Sequence, residues 1–303
     1  MSIRPLDLLD LPSLYRYRGE AVSLDSARLL TRGNPLGAVG MMAYMNPRRH
    51  VYTAVSDDDR TTLLGGITHT NGDTFAKLLY LAPASGLDLP TAPSLIDHLS
   101  AQAGSWGAFH VLAEVDDGSD AFPALRISGF SVYAWQRIWD ISNITASASS
   151  ADWKRVQSVN LPSIQNLYHQ IVPPLLQPVE PTPKRATGFL CNGDMKCYIN
   201  PSVGMVGMVL HPLIHPEATN VGEKLAALVS SLPRRNSRPV YLCVRSYQAW
   251  LEPVLEEIGA KAANRQAVMV KHLVRMVKGE QAVHVTQPTG VTVQPSRVSR
   301  IEK

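Results

Sequence analysis

Ile3-Arg4-Pro5-Leu6-Asp7-Leu8-Leu9-Asp10-Leu11-Pro12-Ser13-Leu14 lines up without a gap with Trp153-Lys154-Arg155-Val156-Gln157-Ser158-Val159-Asn160-Leu161-Pro162-Ser163-Ile164, and this internal match decides how the rest of the chain is read. In each copy a short strand runs into Leu-Pro-Ser. Asp10 or Asn160 stands where it would cap the new helix, and the proline falls in the first turn, where a missing N–H costs nothing. The far ends match as well. Phe109-His110-Val111-Leu112-Ala113-Glu114-Val115 corresponds to Pro239-Val240-Tyr241-Leu242-Cys243-Val244-Arg245 as a buried strand. At the same offset Ala124 to Phe130 corresponds to Val254 to Ala260, a helix closed by Gly129 or Gly259, where a left-handed residue is wanted. The last strands, Val132 to Ile141 and Gln266 to Val274, hold Gln136 and Gln266 in register.

The chain is therefore one unit of roughly 140 residues built twice. The second start lies further along than the second end, so the first half carries roughly 20 additional residues, placed at Thr31 to Arg49. Met41, Met42 and Met45 in that insert read as core filler. The expected organisation is a first domain over residues 1–141, a linker over 142–152, a second domain over 153–275 and an extended or disordered tail over 276–303. In the second half strands are expected at Gly188 to Cys191, Met195 to Asn200, Met205 to His211 and Val240 to Val244. Helices are expected from Val221 to Ser231 and from Ala249 to Ile258. The class is α/β, each half a mixed central β-sheet flanked by helices.

With 45% apolar and 18% charged residues, the 303-residue chain has globular composition, which excludes a disordered protein. Its longest apolar runs, such as Gly204 to Leu210, fall far short of the roughly 20 residues a membrane span needs, and MSIRPLDLLD has no signal-peptide block. A cytoplasmic protein with no membrane partner is expected. Cys191, Cys197 and Cys243 fit no zinc or redox spacing, so they read as buried thiols and no metal site is expected. The net charge of +4 comes from residues 271–303; residues 1–270 carry equal numbers of acidic and basic groups, which argues against a nucleic-acid partner. The basic turn Pro233 to Arg238 reads as a solvated loop.

The element order in each half, with a strand ending at proline, a helix, a buried strand, a helix closed by glycine and a last strand, resembles the GNAT superfamily of acyl-CoA N-acyltransferases. The resemblance covers residues 3–141 and 153–274 and is to the superfamily's tandem members, in which two such domains are fused and one can be catalytically silent. The family's diagnostic segment is a strand running into Val-His-Pro, then Arg/Gln-x-x-Gly-x-Gly/Ala opening a helix whose N–H groups bind the CoA pyrophosphate. Here it reads Ile214-His215-Pro216-Glu217-Ala218-Thr219-Asn220-Val221-Gly222-Glu223-Lys224. Ile-His-Pro fits and Gly222 falls on the first motif glycine, while Thr219 and Lys224 replace the Arg/Gln and the second glycine. Asn220 and Glu223 also form a capping-box pattern, a competing use for the same N–H groups. In the first half, Leu81 to Pro90 has no glycine where the phosphates would lie, and Ser94 to Asp97 is again a capping box.

The resemblance implies acetyl-CoA as co-substrate and a small amine as acceptor, with the active site in the second half. It places the CoA-binding groups at Leu213, Ile214, His215, Thr219, Asn220, Val221, Gly222 and Lys224. The acyl carbonyl would be held by a backbone N–H between Leu213 and His215. In the family the general acid is often a tyrosine four residues before the helix-closing glycine; Leu255 and Leu125 stand there instead. The remaining candidates are His211 and His215 as bases, being alternate residues that share a side of one strand end, Glu217 as a further base, and Tyr247 as the acid. His169 and the prolines Pro173, Pro174, Pro178, Pro181 and Pro183 lie where a substrate wall would be. The residues leave open a catalytically inactive descendant that binds ligands or assembles, and an acyl-CoA-binding regulator.

Overall fold

A computed structural model of the chain describes residues 2–37, 49–57, 62–144, 152–180, 182–191, 195–232 and 238–273. The methionines of the insert, most of the linker and of the basic turn, and the tail lie outside the described residues. Residues 1–273 form one compact unit.

The first half runs β1 (Ser2–Pro5), α1 (Leu11–Tyr17), β2 (Val22–Ser23), α2 (Ser26–Arg32), β3 (Arg49–Asp57), β4 (Thr62–Thr70), β5 (Phe75–Ala82), α3 (Thr91–Ser105), β6 (His110–Asp116), α4 (Ala121–Ile127) and β7 (Ser131–Asp140). The second half repeats the plan as β8 (Trp153–Arg155), α5 (Leu161–Ile171), β9 (Phe189–Cys191), β10 (Cys197–Val203), β11 (Met208–Ile214), α6 (Val221–Ser231), β12 (Val240–Arg245), α7 (Leu251–Glu257) and β13 (Lys261–His272). All described strands join in one mixed sheet, in the order β1-β3-β4-β5-β6-β13-β7-β12-β11-β10-β9-β8, with β2 beside β5. Strand alternation sets the two faces. Ala54 and Leu63 meet α3 and α4 in one core cluster, while the next residues, Val55 and Leu64, meet Leu14 of α1 in another.

The last strands are exchanged. β7 leaves its own half and pairs with β12, while β13 returns to pair with β6, and the two run antiparallel to each other in the middle. Their side chains follow: Ala267 and Met269 belong to the first core, and Trp139 and Ile141 to the second. At roughly 1.5–3 kcal/mol for each large apolar side chain buried, this cross-filling ties the halves into one folding unit. At the centre the two repeat-equivalent glutamines face each other as register partners, with Gln136 Nε2 donating to Gln266 Oε1 over 2.8 Å. The hairpin between β10 and β11 makes a second seam. Val206 N donates to Thr31 O, and a Cβ on Gly204 would lie 2.0 Å from that same oxygen, so only glycine lets the chains approach.

Most elements match their expected positions, and α6 matches end to end. Several expectations need correction. β10 covers Cys197–Val203, two to three residues beyond the expected Met195 to Asn200, and β13 begins at Lys261, five residues before the expected Gln266. β11 begins at Met208 and ends at Ile214, three residues later than expected, because Gly204 to Gly207 is spent on the hairpin turn. α7 begins at Leu251, since Ser246–Gln248 forms a separate 3-10 turn, and α3 begins at Thr91 ahead of the Ser94 box. Asp10 and Asn160 do not cap their helices. Each accepts a bond one turn earlier, from Asp7 N (2.8 Å) and Gln157 N (3.0 Å), so the repeat extends to identical side-chain turns.

Candidate functional site

Two parallel strand pairs, one in each half, start together and then part. β5 and β6 are in register from Phe75/His110 to Lys77/Leu112 and diverge beyond. β11 and β12 are in register from Met208/Val240 to Leu210/Leu242 and diverge in the same way. Each divergence leaves backbone N–H and C=O groups facing a wedge, and buried groups of that kind must find partners.

In the first wedge the partner is the chain itself. β2 pairs with β5, Leu24 N donates to Leu79 O, and Glu114 N of β6 donates to Leu24 O, each over 2.9 Å. The segment ending at Leu24 thus bridges both strands as an inserted third, and Leu24 is 1% exposed. In the second wedge the partner is one side chain. Gln248, also 1% exposed, accepts from Ile214 N over 3.0 Å and donates to Pro212 O over 2.9 Å, satisfying both groups that β11 turns toward the wedge.

The loop after β11 does not have the expected cap. Asn220 is left-handed (φ 54°, ψ 40°), whereas a capping residue is extended, so its side chain makes no cap bond and the box with Glu223 does not form. A Cβ on Gly222 would stand 2.8 Å from Ile258 Cγ2 and 3.4 Å from Val254 Cγ1, so this glycine admits α7 against α6. Val221 is buried in the second core, Thr219 is exposed, and the Lys224 carbonyl accepts from Trp153 Nε1 over 2.8 Å.

The candidate acid–base residues separate into two places. Glu217 is exposed and ion-paired with Lys196 at 2.9 Å; that hydrogen bond and charge lower its pKa. His215 lies past the strand end beside Glu217, its N bonded to Lys196 O. His211, Leu213 and Tyr247 instead line a cavity of about 260 Å³ between the halves. His211 and His215 are therefore not brought together: one faces the cavity and the other sits in the loop beyond the last residue of β11.

Around that cavity stand Lys77 and Glu114 from the first half, and Glu180, Cys243 and Arg245 from the second. Arg245 reaches Glu180 at 3.3 Å and Glu114 at 3.6 Å and also donates to Gln136. Burial favours neutral Glu114, but Lys77 and then Arg245 outweigh it and hold its pKa at about 2. Burial, with Arg245 adding to it, pushes His211 down to about 4, so its ring is neutral near pH 7. Burial and then nearby Glu180 raise Tyr247, and burial pushes Cys243 up to about 12. The tyrosines Tyr133, Tyr168 and Tyr198 complete a wall that is apolar in body and polar at its tips. Pro183 lines the cavity, whereas His169 is outside it and pairs with Gln177.

Sequence reasoning missed Gln248, Lys77, Glu114 and Glu180. The available signal was a charge inside an otherwise buried strand, as at Lys77 and Glu114, since such residues are rarely buried unless they are paired. All three cysteines are buried, as expected. Among the described residues no cluster of three or more His, Cys, Asp or Glu is placed to hold a metal ion, and no helix is long and apolar enough to cross a membrane.

No protein-family model matches the sequence, and no curated protein matches it. Solved structures do match in fold. A GCN5-related N-acetyltransferase from Sphaerobacter thermophilus superposes with a TM-score of 0.56 at 12% identity, over 89% of this chain and 95% of that one. A tandem GNAT protein from the clavulanic acid biosynthesis pathway superposes with a TM-score of 0.51 at 12% identity, over 89% and 98%. The chain thus has the tandem GNAT fold, and its similar structures include GNAT acetyltransferases. At these identities the likeness establishes the fold alone.

Proposed function

We propose that this tandem GNAT-fold protein is a small-ligand-binding module that does not transfer acyl groups, with its ligand held in the cavity between the halves. The observation that carries the reading is Gln248. A carbonyl-stabilising N–H works only if it is aimed at open space where the oxyanion forms. Ile214 N, the wedge-facing donor of the segment Leu213 to His215, already has a buried acceptor in Gln248 Oε1. Leu255, where the resemblance wants an acidic tyrosine, and Gly222, where helix packing uses the glycine, point the same way.

A second reading keeps the chemistry: acetyl-CoA bound by the second half, with a small amine acylated in the same cavity. Its support is that no side chain caps the first turn of α6, leaving that helix end to an anion, and that His211 lies on the strand that carries Ile214 N. It requires Gln248 to swing off β11.

Calorimetric titration with acetyl-CoA separates the two readings. No heat with the full chain, and no thiol release with a panel of amines, is the expected outcome; micromolar binding followed by turnover would overturn it. A thermal-shift screen of small amines, amino acids and phosphate esters should give at least one saturable rise in melting temperature that a cavity-filling substitution such as Cys243→Phe removes.

A further inference from the structure

Beside the cavity lies a second hollow of about 380 Å³, and its chemistry is different. One wall is the face of α2 that carries Arg28, Thr31 and Arg32, spaced three and four residues apart and therefore on one side of the helix. The other is the sheet, where Arg49 is the register partner of Thr70, and Lys77 that of Thr68, so these residues share a face. Ser202 and Val203 of the second half complete the lining.

Four cations line this trough against two carboxylates, Asp25 and Asp73. Both carboxylates are engaged. Asp25 caps α2 through Arg28 N and pairs with Lys77 at 3.5 Å, and Asp73 pairs with Lys184 at 3.4 Å. Among the described residues Arg32 and Arg49 have no ion-pair partner. Burial lowers the Arg32 pKa, and the nearby charge of Arg49 lowers it further, with Asp25 offsetting only part of the two. Two like charges held together in a recess are unfavourable unless an anion joins them.

We infer that this trough is a phosphate site, in which the forked N–H groups of Arg32 and Arg49, with the Thr70 hydroxyl, hold the phosphate group of a small ligand. Phosphate fits better than carboxylate because a dianion balances two guanidinium charges and offers oxygens to both forks, whereas a carboxylate leaves one cation uncompensated. The trough and the cavity share Ala27, Phe75, Lys77 and Ser202, so a phosphate in the trough lets the rest of the molecule extend into the cavity. That extension, unlike the phosphate site itself, rests on the ligand-binding reading above. The site lies in the first half and on the opposite face of the sheet from α3, which the loop Leu81 to Pro90 precedes, so it is distinct from either pyrophosphate loop that the resemblance implies.

The test is calorimetric titration of the full chain with inorganic phosphate near neutral pH, with acetate and chloride at matched ionic strength as comparison anions. It is repeated on Arg32→Gln, Arg49→Gln and, as a control, Arg18→Gln, whose guanidinium stacks on Tyr15 outside the trough. Saturable phosphate binding is expected in the wild type and the control, weakened about tenfold or more in each trough variant, with acetate weaker throughout. The phosphate-free melting temperature of the trough variants should not fall, because each removes a like-charge contact; a fall would mark a structural arginine and overturn the assignment. Absence of saturable heat, chloride matching phosphate, or unchanged affinity in both variants would also overturn it. Glycerol 3-phosphate separates the two readings: tighter binding than inorganic phosphate supports the shared cavity, and equal binding leaves the phosphate site standing while removing the ligand body from the cavity.

Discussion

The two wedges of this molecule are closed by different means, and the difference bears on which half retains room for a ligand. In the first, main chain fills the gap: residues up to Leu24 bond to β5 on one side and β6 on the other. In the second, a single amide does so. At the same chain distance from the start of α5 as Leu24 is from the start of α1 stands Pro174, preceded by Pro173; neither has the N–H that an inserted strand would donate. A main-chain closure is shared among many groups and cannot be withdrawn without unfolding its surroundings. A side-chain closure is withdrawn by one rotamer change or one substitution.

The sharpest way to break the comparison is to attack each closure in turn. Leu24→Pro removes the donor to Leu79 O, strains the backbone and disturbs a fully buried position, and should cost about 5 kcal/mol, read as the loss of midpoint in urea unfolding. Gln248→Leu fills similar space but strands Ile214 N and Pro212 O without partners, for a cost of about 3 kcal/mol. If the second closure costs as much as the first, it is not the weaker of the two. Gln248→Ala admits water and should cost less; acetyl-CoA binding that appears only in this variant would show that one amide was all that barred the second wedge.

The repeat from Ile3 to Leu14 and Trp153 to Ile164 made the doubled fold legible, because an ungapped match with its proline and its turn residues is a local property. Even the Asp7–Asp10 and Gln157–Asn160 turns correspond. The strand exchange was not legible. β7 and β13 have equivalent patterns, and nothing local tells a strand whether it pairs within its own half or across, as both do here. The candidate site was half legible. His211, Leu213 and Tyr247 were placed by the resemblance and do face the cavity, but Lys77, Glu114 and Glu180 come from elements distant in sequence and meet only through the tertiary fold. Asn220 and Glu223 made a convincing capping box whose failure depended on one left-handed residue.

Acid titration reports on the cavity that adjoins the second wedge. His211 is held at about 4 by burial and by Arg245, against about 6.5 in an unfolded chain. Between these values the unfolded state binds the extra proton, so stability rises with pH through this window and is lost as pH falls from about 6.5 to about 4, by about 3 kcal/mol in all. Glu114, held at about 2 chiefly by Lys77 and Arg245 against its burial, acts lower: its contribution is complete above about 4.5 and is lost as pH falls toward 2. His211→Leu should therefore flatten the unfolding midpoint above pH about 4.5 and leave the more acidic loss in place. An unchanged profile would mean that His211 is not the group that senses acid there.

Gly222→Ala gives the smallest effect and decides what the helix end beside the second wedge is for. If the glycine exists to let α7 approach, the added methyl meets Ile258 Cγ2 and Val254 Cγ1, and the cost is about 1–2 kcal/mol from overpacking. Ile258→Ala in the same chain removes the atom in the way. The double variant should then lose less than the sum of the two single losses, a coupling that independent sites would not show. If the glycine instead exists to admit a phosphate, stability should change little, any acetyl-CoA binding recovered in Gln248→Ala should vanish when Gly222→Ala is added, and Ile258→Ala should not restore it. Coupling through Ile258 without an effect on acetyl-CoA would place Gly222 in the packing of the second half, and would leave the amide of Gln248 as the feature that decides whether the second wedge opens.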